Sequence, residues 1–270
     1  MTALPTRDDR LCVTDGGMET TLIFRDGLEL PEFATFPLLD DDAGLAALRG
    51  YYESYVQLAA ELGTPIVLDT VTWRASPDWG KRLGYEGARL DDVNRRGVAL
   101  LRELPGGDAE IVVSGCVGPR GDAYVVGETL DAEGAEDYHE RQIAVLAAEG
   151  VDLISALTLT HVEEATGIVR AAQRSRIPVV ISFTVETDGR LPSGQPLGEA
   201  IEQVDRDTDR GPVYFMVNCA HPTHFADVLE PGAPWVERIA GVRANASTKS
   251  HEELDNSEEL DPGDPDELAD

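Results

Sequence analysis

Seven short apolar runs, with helical patterns between them, are the feature that most constrains the fold of this 270-residue chain. The apolar runs occupy residues 11–14, 65–68, 110–114, 152–157, 178–184, 213–217 and 239–243. Apolar residues recur at helical spacing over residues 44–62, 91–104, 133–149, 161–174 and 197–204. Strands that alternate with helices along a chain predict a parallel sheet.

Polar residues gather where the predicted strands end, and few stand where the strands begin. This asymmetry is typical of a TIM (β/α)8-type barrel, in which the site is built at the carboxyl ends of the strands. No GxGxxG pattern follows the first predicted strand, so a dinucleotide-binding fold is less consistent with the sequence. We therefore predict a single α/β barrel domain over residues 1–270.

An eighth strand is missing from this prediction. A closed barrel of this type has eight strands, whereas the acidic C-terminal segment, residues 251–270, contains no apolar run that could form the last one. The composition of this segment is compatible with one helix. We expect a barrel with seven identifiable strands.

The formal charge of −29 excludes several classes of partner. A surface this acidic repels nucleic acid and anionic membranes through its summed field. The negative charge is spread along the chain, which indicates a high-salt environment, because a Debye length of about 3 Å at 1 M salt screens the self-repulsion. We therefore expect a halophilic protein that is unstable at low salt.

Membrane and secretion signals are also lacking. No apolar run approaches the roughly 20 residues that cross a bilayer, and the first ten residues lack the apolar segment of a signal peptide. The three cysteines, Cys12, Cys116 and Cys219, are too few and too scattered for a disulfide framework. These observations predict a soluble cytoplasmic protein with free thiols, in which Cys12 lies within the first strand and is buried.

The stretch VYFMVNCAHPTH, residues 213–224, predicts a buried strand that delivers a polar cluster to the end of the sheet. Cys219 in this cluster is either a thiolate ligand for zinc or a small buried hydrophobe. His221 and His224 add two potential zinc donors, but their spacing does not match a standard structural zinc site. Solvent-exposed histidines at a helix start are the expectation that the local sequence favours.

Other candidate residues have equally plain alternatives. Gly16 and Gly17 either let the backbone approach a ligand or make a tight turn. Cys116 either reaches the same opening at the carboxyl ends of the strands as Cys219, or it stands there because a small side chain is required. Glu163 and Glu164 fall in the first turn of a helix, where carboxylates favour the dipole. An acid/base pair of Glu186 and Asp188 is possible, although an acidic chain places such pairs by chance.

The segment SPDWGKRLGYEG, residues 76–87, is predicted to be a long loop.

Six motifs in order resemble the homocysteine S-methyltransferase family. They are DGGMET at the first strand, the threonine-rich end of the second, SGCVGPRGD at the third, VVISFT at the fifth, VNCAHP at the sixth and RANAS at the seventh. The resemblance runs from about residue 11 to about residue 250 and implies a zinc-dependent TIM barrel. It also implies small-molecule partners, namely a thiol acceptor, homocysteine, and a methyl donor such as S-methylmethionine or betaine.

The resemblance implies functional roles for particular residues. It makes Cys219 a zinc thiolate, and it makes Gly16, Gly17 and Glu19 part of the segment that contacts the amino acid substrate. The polar strand ends add Thr70, Asn218 and Asn245 as candidate substrate-binding residues. In the family, zinc would hold the homocysteine sulfur as a thiolate, which attacks the methyl carbon of the donor.

Two departures from the family pattern leave alternatives open. The family's other two zinc thiolates are adjacent cysteines at the eighth strand, and no such pair occurs in this sequence. We therefore expect the chain to stop short of the family's C-terminal end. Leu157 stands where many members carry a glutamate that binds the substrate amino group. The alternatives are an active methyltransferase, an inactive barrel that binds a thiol or an amino acid, and a zinc site completed by Cys116, His221 or His224.

Overall fold

The chain forms one sheet of parallel strands that curves into a nearly closed barrel, as the alternating pattern predicts. The computed structural model describes residues 11–107, 109–257 and 259–269. Each strand pairs in parallel with the next one along the chain. The seven strands are β1 (Val13–Thr14), β2 (Ile66–Asp69), β3 (Ile111–Val117), β4 (Leu153–Leu159), β5 (Val179–Phe183), β6 (Phe215–Asn218) and β7 (Ile239–Arg243).

Helices connect the strands and lie outside the sheet. They are α1 (Met18–Thr20), α2 (Asp42–Leu62), α3 (Pro77–Arg82), α4 (Ala88–Arg102), α5 (Ala132–Ala148), α6 (Val162–Ser175), α7 (Leu197–Asp207), α8 (His251–Asp255) and α9 (Pro265–Ala269). The sequence predicted a long loop over residues 76–87, and this was wrong for α3, whose first residue is a proline, a favourable first helical residue. None of the helices in the described part of the chain is long and apolar enough to span a bilayer.

The acidic C-terminal segment contains two short helices, α8 and α9, rather than one. Within residues 244–257 and 259–269 no strand follows β7, so β1 and β7 are the two edges of the described sheet. The expectation of seven identifiable strands is therefore confirmed for the described residues.

The barrel interior is built in layers that follow the alternation of side chains along each strand. The lower layer is apolar and consists of Val67, Val112, Leu153, Val180 and Met216. Two residues further along the same strands, the next layer is polar and consists of Asp69, Ser114, Ser155, Ser182 and Asn218. Its members hydrogen bond to one another, since Ser114 Oγ donates to Ser155 Oγ at 2.7 Å and Ser182 Oγ donates to Asn218 Oδ1 at 2.6 Å. The carboxyl end of the barrel is thus lined by polar groups above an apolar floor.

The larger core lies between the sheet and its helices, and α5 and α6 make its closest helix contact. Gly167 in α6 faces α5 so closely that an added Cβ would lie 2.5 Å from the backbone nitrogen of Glu136 and 2.6 Å from the Cβ of Ala135. Because these obstacles are backbone and Cβ atoms of another helix, they cannot move without separating the two helices.

We expect Gly167→Ala to lower the free energy of unfolding by about 2 kcal/mol, because overpacking costs about 1–3 kcal/mol and exceeds the gain in helix propensity of about 1 kcal/mol. The matched control is Gly50→Ala in α2, an exposed position where an added Cβ meets nothing within 4 Å. We expect this control to stabilise the protein by about 0.5–1 kcal/mol. Urea unfolding of both variants tests the prediction, and equal effects of the two substitutions would contradict it.

Candidate functional site

Two carboxylates and one guanidinium meet inside the barrel at the carboxyl ends of β1, β2 and β7. Arg243 Nη1 lies 3.1 Å from Asp15 Oδ1, and Arg243 Nη2 lies 2.6 Å from Asp69 Oδ2. Asp15 is 3% and Asp69 4% exposed. We call these three residues the interior ion cluster. It joins the last strand to the first two across the side where the described sheet is open.

The interior ion cluster contains more negative than positive groups. The pKa of Asp15 is raised to about 8, because burial and, to a smaller extent, the neighbouring Asp69 carboxylate raise it by more than Arg243 lowers it. Because Asp15 keeps its proton near neutral pH, one guanidinium balances one carboxylate. Asp15 Oδ1, both carboxylate oxygens of Asp69 and Arg243 Nε have no hydrogen-bond partner among the described residues. The cluster is therefore a polar centre whose hydrogen-bonding capacity is not filled.

The predicted glycine segment follows Asp15 directly. Tyr51 Oη contacts both backbone groups of Gly16, since it accepts from the nitrogen at 3.1 Å and donates to the oxygen at 2.9 Å. An added Cβ at Gly16 would lie 2.5 Å from Tyr55 Oη, so a larger residue there would have to displace the Tyr55 side chain of α2. Gly17, by contrast, is exposed and has room for a side chain.

Glu19 lies one turn beyond this segment and is partly buried. Burial raises the pKa of its carboxyl group, whereas hydrogen bonds lower it, including one that Thr35 Oγ1 donates to Glu19 Oε1 at 3.2 Å. The positive charge of Arg74 also lowers the pKa of Glu19. The sequence therefore located a carboxylate at this end of the barrel, and its surroundings favour the protonated form.

Asn218 and Cys219 stand at the end of β6, where the sequence predicted them. Asn218 Oδ1 accepts from Thr158 N at 2.9 Å, and Asn218 Nδ2 donates to Thr158 Oγ1 at 2.8 Å and to Cys219 Sγ at 3.2 Å. Thr158 and Cys219 both have positive φ angles, 62° and 56°, and Thr158 lies at an irregularity in the pairing of β4 with β5. A positive φ is costly for a β-branched residue, and the Asn218 side chain holds both residues in place.

Two aromatic rings cover the Cys219 end of the mouth. The ring of Tyr124, from the loop after β3, stacks on His251 with a centroid distance of 4.1 Å. His251 Nε2 lies 2.9 Å from the backbone oxygen of Cys219, which can only accept, and His251 Nδ1 lies 3.3 Å from Glu186 Oε1. The predicted acid/base pair is not formed, because Asp188 lies instead near Arg190, at 3.8 Å. Residues of the acidic segment thus reach the barrel mouth.

The described residues do not form a zinc site. Burial raises the pKa of Cys219, although hydrogen bonds from Tyr124, Asn218 and Thr158 act in the opposite direction. A raised pKa disfavours the thiolate that zinc requires. Within residues 11–107, 109–257 and 259–269, no group of three His, Cys, Asp or Glu residues is arranged to hold a metal ion. Cys219 is present without companions for a metal.

The two histidines after β6 have other partners. The prediction that they are exposed was wrong, because His221 is 2% and His224 9% exposed. His221 Nδ1 lies 2.8 Å from Thr223 Oγ1, and His224 Nε2 lies 2.9 Å from the backbone oxygen of Thr248. Their 3₁₀ turn, Pro222–His224, folds them inward to fix the loops after β6 and β7. The sequence did not reveal this because the partner of His224 is a backbone oxygen 24 residues away, although Thr223, the partner of His221, is only two residues away.

The remaining candidates occupy supporting positions around the mouth. Thr70 Oγ1 accepts from Cys116 N at 2.9 Å and lies 2.6 Å from Thr72 Oγ1, so it joins the ends of β2 and β3. Cys116 is buried, and burial raises the pKa of its thiol well above the ordinary value. Asn245 donates from its backbone nitrogen to Ala220 at 3.0 Å. Leu157 is buried and offers no charge to a ligand.

Cys12 lies one residue before β1 and is partly buried, so its predicted place within the strand was wrong by one residue. It packs against the apolar floor of the barrel, at the end opposite the mouth. No disulfide joins Cys12, Cys116 and Cys219, all of which lie among the described residues.

Glu164 differs sharply from its neighbour Glu163. Both lie in the first turn of α6, as predicted, but Glu163 is exposed and Glu164 is 3% exposed. Glu164 Oε1 lies 2.9 Å from His139 Nε2 and accepts from the backbone nitrogen of Arg120 at 2.7 Å. Burial raises the pKa of Glu164, but the hydrogen bond and charge of His139 outweigh it, so the pKa is lowered overall. Glu164 thereby holds the loop that carries Tyr124.

Sequence reasoning missed Asp15, Asp69 and Arg243 as site residues. A usable signal was present, because charged residues in otherwise apolar strands require buried partners. Asp69 closes the run IVLD, and Arg243 precedes the asparagine that was selected in RANAS. His251 and Tyr124 carried no such signal, since their contacts depend on loops far apart in the chain.

The chain matches the family model described as homocysteine S-methyltransferase over residues 12–269. It is 26% identical over 123 residues to homocysteine S-methyltransferase 1 of Arabidopsis thaliana, an alignment that covers 44% of this chain and 37% of that relative. It is 23% identical over 257 residues to selenocysteine methyltransferase of Astragalus bisulcatus, covering 82% of this chain and 71% of the relative. The match to the Arabidopsis protein thus spans little more than a third of its length.

Solved structures share the fold. The metallated form of the homocysteine methyltransferase MmuM from Escherichia coli superposes with a TM-score of 0.69 at 19% identity, covering 89% of this chain and 93% of that chain. The oxidized form of the same protein gives a TM-score of 0.70. At this identity the likeness supports the barrel architecture and does not carry site residues across.

Proposed function

Since the chain belongs to the homocysteine S-methyltransferase family, we propose that it transfers a methyl group from a sulfonium donor such as S-methylmethionine to the thiol of homocysteine. The donor and the exact acceptor are parts of the proposal, and betaine and selenocysteine are the alternatives to compare. The product from homocysteine would be methionine.

The arrangement of two segments at one end of the barrel carries this proposal. The Arg243 side chain contacts Asp15, which directly precedes Gly16 and Gly17. The backbone oxygen of Arg243 accepts a hydrogen bond from the backbone nitrogen of Cys219 at 3.1 Å. The segment expected to contact the amino acid is thereby linked to the strand end that carries Cys219. An acceptor held between them would meet polar groups beside a buried floor.

The proposed transfer places simple demands on these residues. The acceptor sulfur forms a bond to the methyl carbon, the bond from that carbon to the donor sulfur breaks and leaves a neutral thioether, and the thiol proton passes to water. Orientation of the two sulfur atoms in line with the methyl group can supply a large part of the rate enhancement. In this proposal Gly16, Gly17, Glu19, Thr70, Asn218 and Asn245 bind and orient the substrates, and Tyr124 and His251 limit the access of water.

Zinc would acidify the acceptor thiol if it were bound. The described residues supply Cys219 alone of the ligands that the family resemblance implies, and Cys116, His221 and His224 do not join it in a metal-binding group. Activation of the thiol is therefore not assigned to zinc.

The absence of a metal-binding group among the described residues favours a second candidate function. In this alternative the barrel binds a thiol or an amino acid without transferring a methyl group. The interior ion cluster would contribute to recognition, because Asp69 Oδ1 and Arg243 Nε have neither a hydrogen bond nor an ion-pair contact among the described residues and can bind polar groups of a ligand.

A single assay separates the two candidates. The full chain, in concentrated salt with added zinc, is incubated with homocysteine and either S-methylmethionine or betaine, and methionine is measured by mass spectrometry. We expect methionine to form with S-methylmethionine, and Cys219→Ala to reduce the rate by about tenfold or more, because Cys219 lies at the strand end beside which the acceptor would be held. Cys12→Ala is the matched control, because Cys12 lies at the opposite end of the barrel.

Two results would contradict parts of the proposal. If calorimetry shows homocysteine binding but no methionine forms, the binding function is favoured. If Cys219→Ala retains the full rate, Cys219 has no role in the transfer. The assay uses concentrated salt because we also propose, from the net charge and the lack of a disulfide among the described cysteines, that the protein works in a high-salt cytoplasm.

A further inference from the structure

Arg243 contacts both predicted site segments at the open side of the sheet. Its guanidinium extends from the edge strand β7 to the ends of β1 and β2, where it lies 3.1 Å from Asp15 and 2.6 Å from Asp69. Its backbone oxygen accepts from Cys219 N. The described residues of β7 and β1 do not pair with each other, so backbone hydrogen bonds do not fix the distance between these edges.

We propose that Arg243 is a positioning residue, which holds the Gly16–Gly17 segment and the Cys219 segment in one arrangement across the open side of the barrel. The fork of the guanidinium suits this task, because it presents several donors in a fixed plane and can contact two carboxylates at once. A compact ammonium carries the same charge but cannot span both partners. The expected effect on the affinity for homocysteine rests on the proposed function, whereas the expected effect on the order of the two segments does not.

A purely structural role makes a different prediction. If Arg243 only balances buried negative charge, Arg243→Lys restores that balance and leaves both segments unchanged. The matched control is Arg238→Lys, because the Arg238 side chain is buried to a similar degree, 13% against 12% exposed, and also contacts a buried carboxylate, Asp205, at 2.7 Å. Arg238 lies at the opposite end of β7, away from the mouth.

The test is amide hydrogen exchange of the full chain in concentrated salt, read by mass spectrometry on peptides that cover residues 15–20 and 218–220. We expect Arg243→Lys to raise the exchange rate by about tenfold or more in both segments, with no change in α5, because the link between them is local. We expect Arg238→Lys to leave both segments unchanged. In the methyl-transfer assay, Arg243→Lys should raise KM for homocysteine by about tenfold with kcat changed less than about threefold, as for lost orientation of a binding segment.

Each outcome decides a separate point. Exchange that rises in both segments supports the positioning role, and exchange that is unchanged, or that rises in only one segment, overturns it. If no variant forms methionine, the proposed function fails while the exchange result still decides the role of Arg243. Should Arg243→Lys not fold, the neutral pair Asp69→Asn with Arg243→Gln replaces it, since this pair leaves no unbalanced buried charge and the same exchange criterion applies.

Discussion

Glu164→Ala is expected to lower the free energy of unfolding by about 3–5 kcal/mol, because it leaves two buried hydrogen-bonding groups without a partner at a cost of about 1–3 kcal/mol each. Glu164 is 3% exposed, and the His139 ring beside it is fully buried. The substitution leaves His139 and the backbone nitrogen of Arg120 without their partner at 2.9 and 2.7 Å. For a domain of this size the melting temperature should fall by roughly 6–20 °C. Thermal unfolding in concentrated salt measures the effect.

The pH dependence of this effect has a definite sign. The pKa of Glu164 is lowered in the folded protein, because the contribution of His139 outweighs burial. A carboxyl group of this kind contributes stability above its unfolded pKa, about 4.3, and loses the contribution as the pH falls through the folded pKa. The difference between the wild type and Glu164→Gln should therefore be full at pH 7 and shrink below about pH 4.5.

Glu163→Ala is the matched control, since Glu163 is exposed in the same helical turn. We expect its effect to stay within about 0.5 kcal/mol. A cost for Glu164→Ala no larger than that of Glu163→Ala would show that the buried pair contributes nothing. A difference between Glu164→Gln and the wild type that is constant from pH 7 to pH 3 would show that folding does not lower the pKa of Glu164.

The sequence was sufficient for the barrel because its signals are local. Apolar runs such as residues 213–217 and helical patterns such as residues 161–174 each carry their own periodicity, and a parallel sheet follows from their order. Helix α3 was missed because Trp79 and Gly80 stand in a segment rich in glycine and aromatic residues, which resembles a loop. Its proline start was the overlooked signal.

The site was predictable only where a residue stands at a strand end. Asn218 and Cys219 were found because they follow an apolar run directly. The burial of His221 and the contact of His251 with Cys219 depend on how three loops fold over one another, and no local pattern encodes that. Arg243 was passed over because a basic residue in an exposed-looking motif is ordinarily solvated, and its partners lie more than 170 residues away in sequence.

Asp15→Asn is expected to stabilise the protein at neutral and alkaline pH, by up to about 5 kcal/mol near pH 8. Burial raises the pKa of Asp15 from 3.8 to about 8 in the folded protein. A carboxyl group with a raised pKa contributes its full stability below the unfolded pKa and loses it as the pH rises to the folded value. Asparagine resembles the protonated form and cannot ionise, so the variant escapes this loss.

The difference in melting temperature between Asp15→Asn and the wild type should therefore be small near pH 4, grow with pH and level off above about pH 8. Asp91→Asn is the control of opposite sign, because the hydrogen bond from Arg141 lowers the pKa of Asp91, so this carboxylate stabilises the protein at neutral pH. If Asp15→Asn is instead less stable than the wild type at pH 7–8, then Asp15 is ionised and its attraction to Arg243 exceeds the cost of burial. In that case the interior ion cluster carries a net negative charge at neutral pH, and a cationic group of a substrate would be drawn to it more strongly than to a cluster whose charges balance.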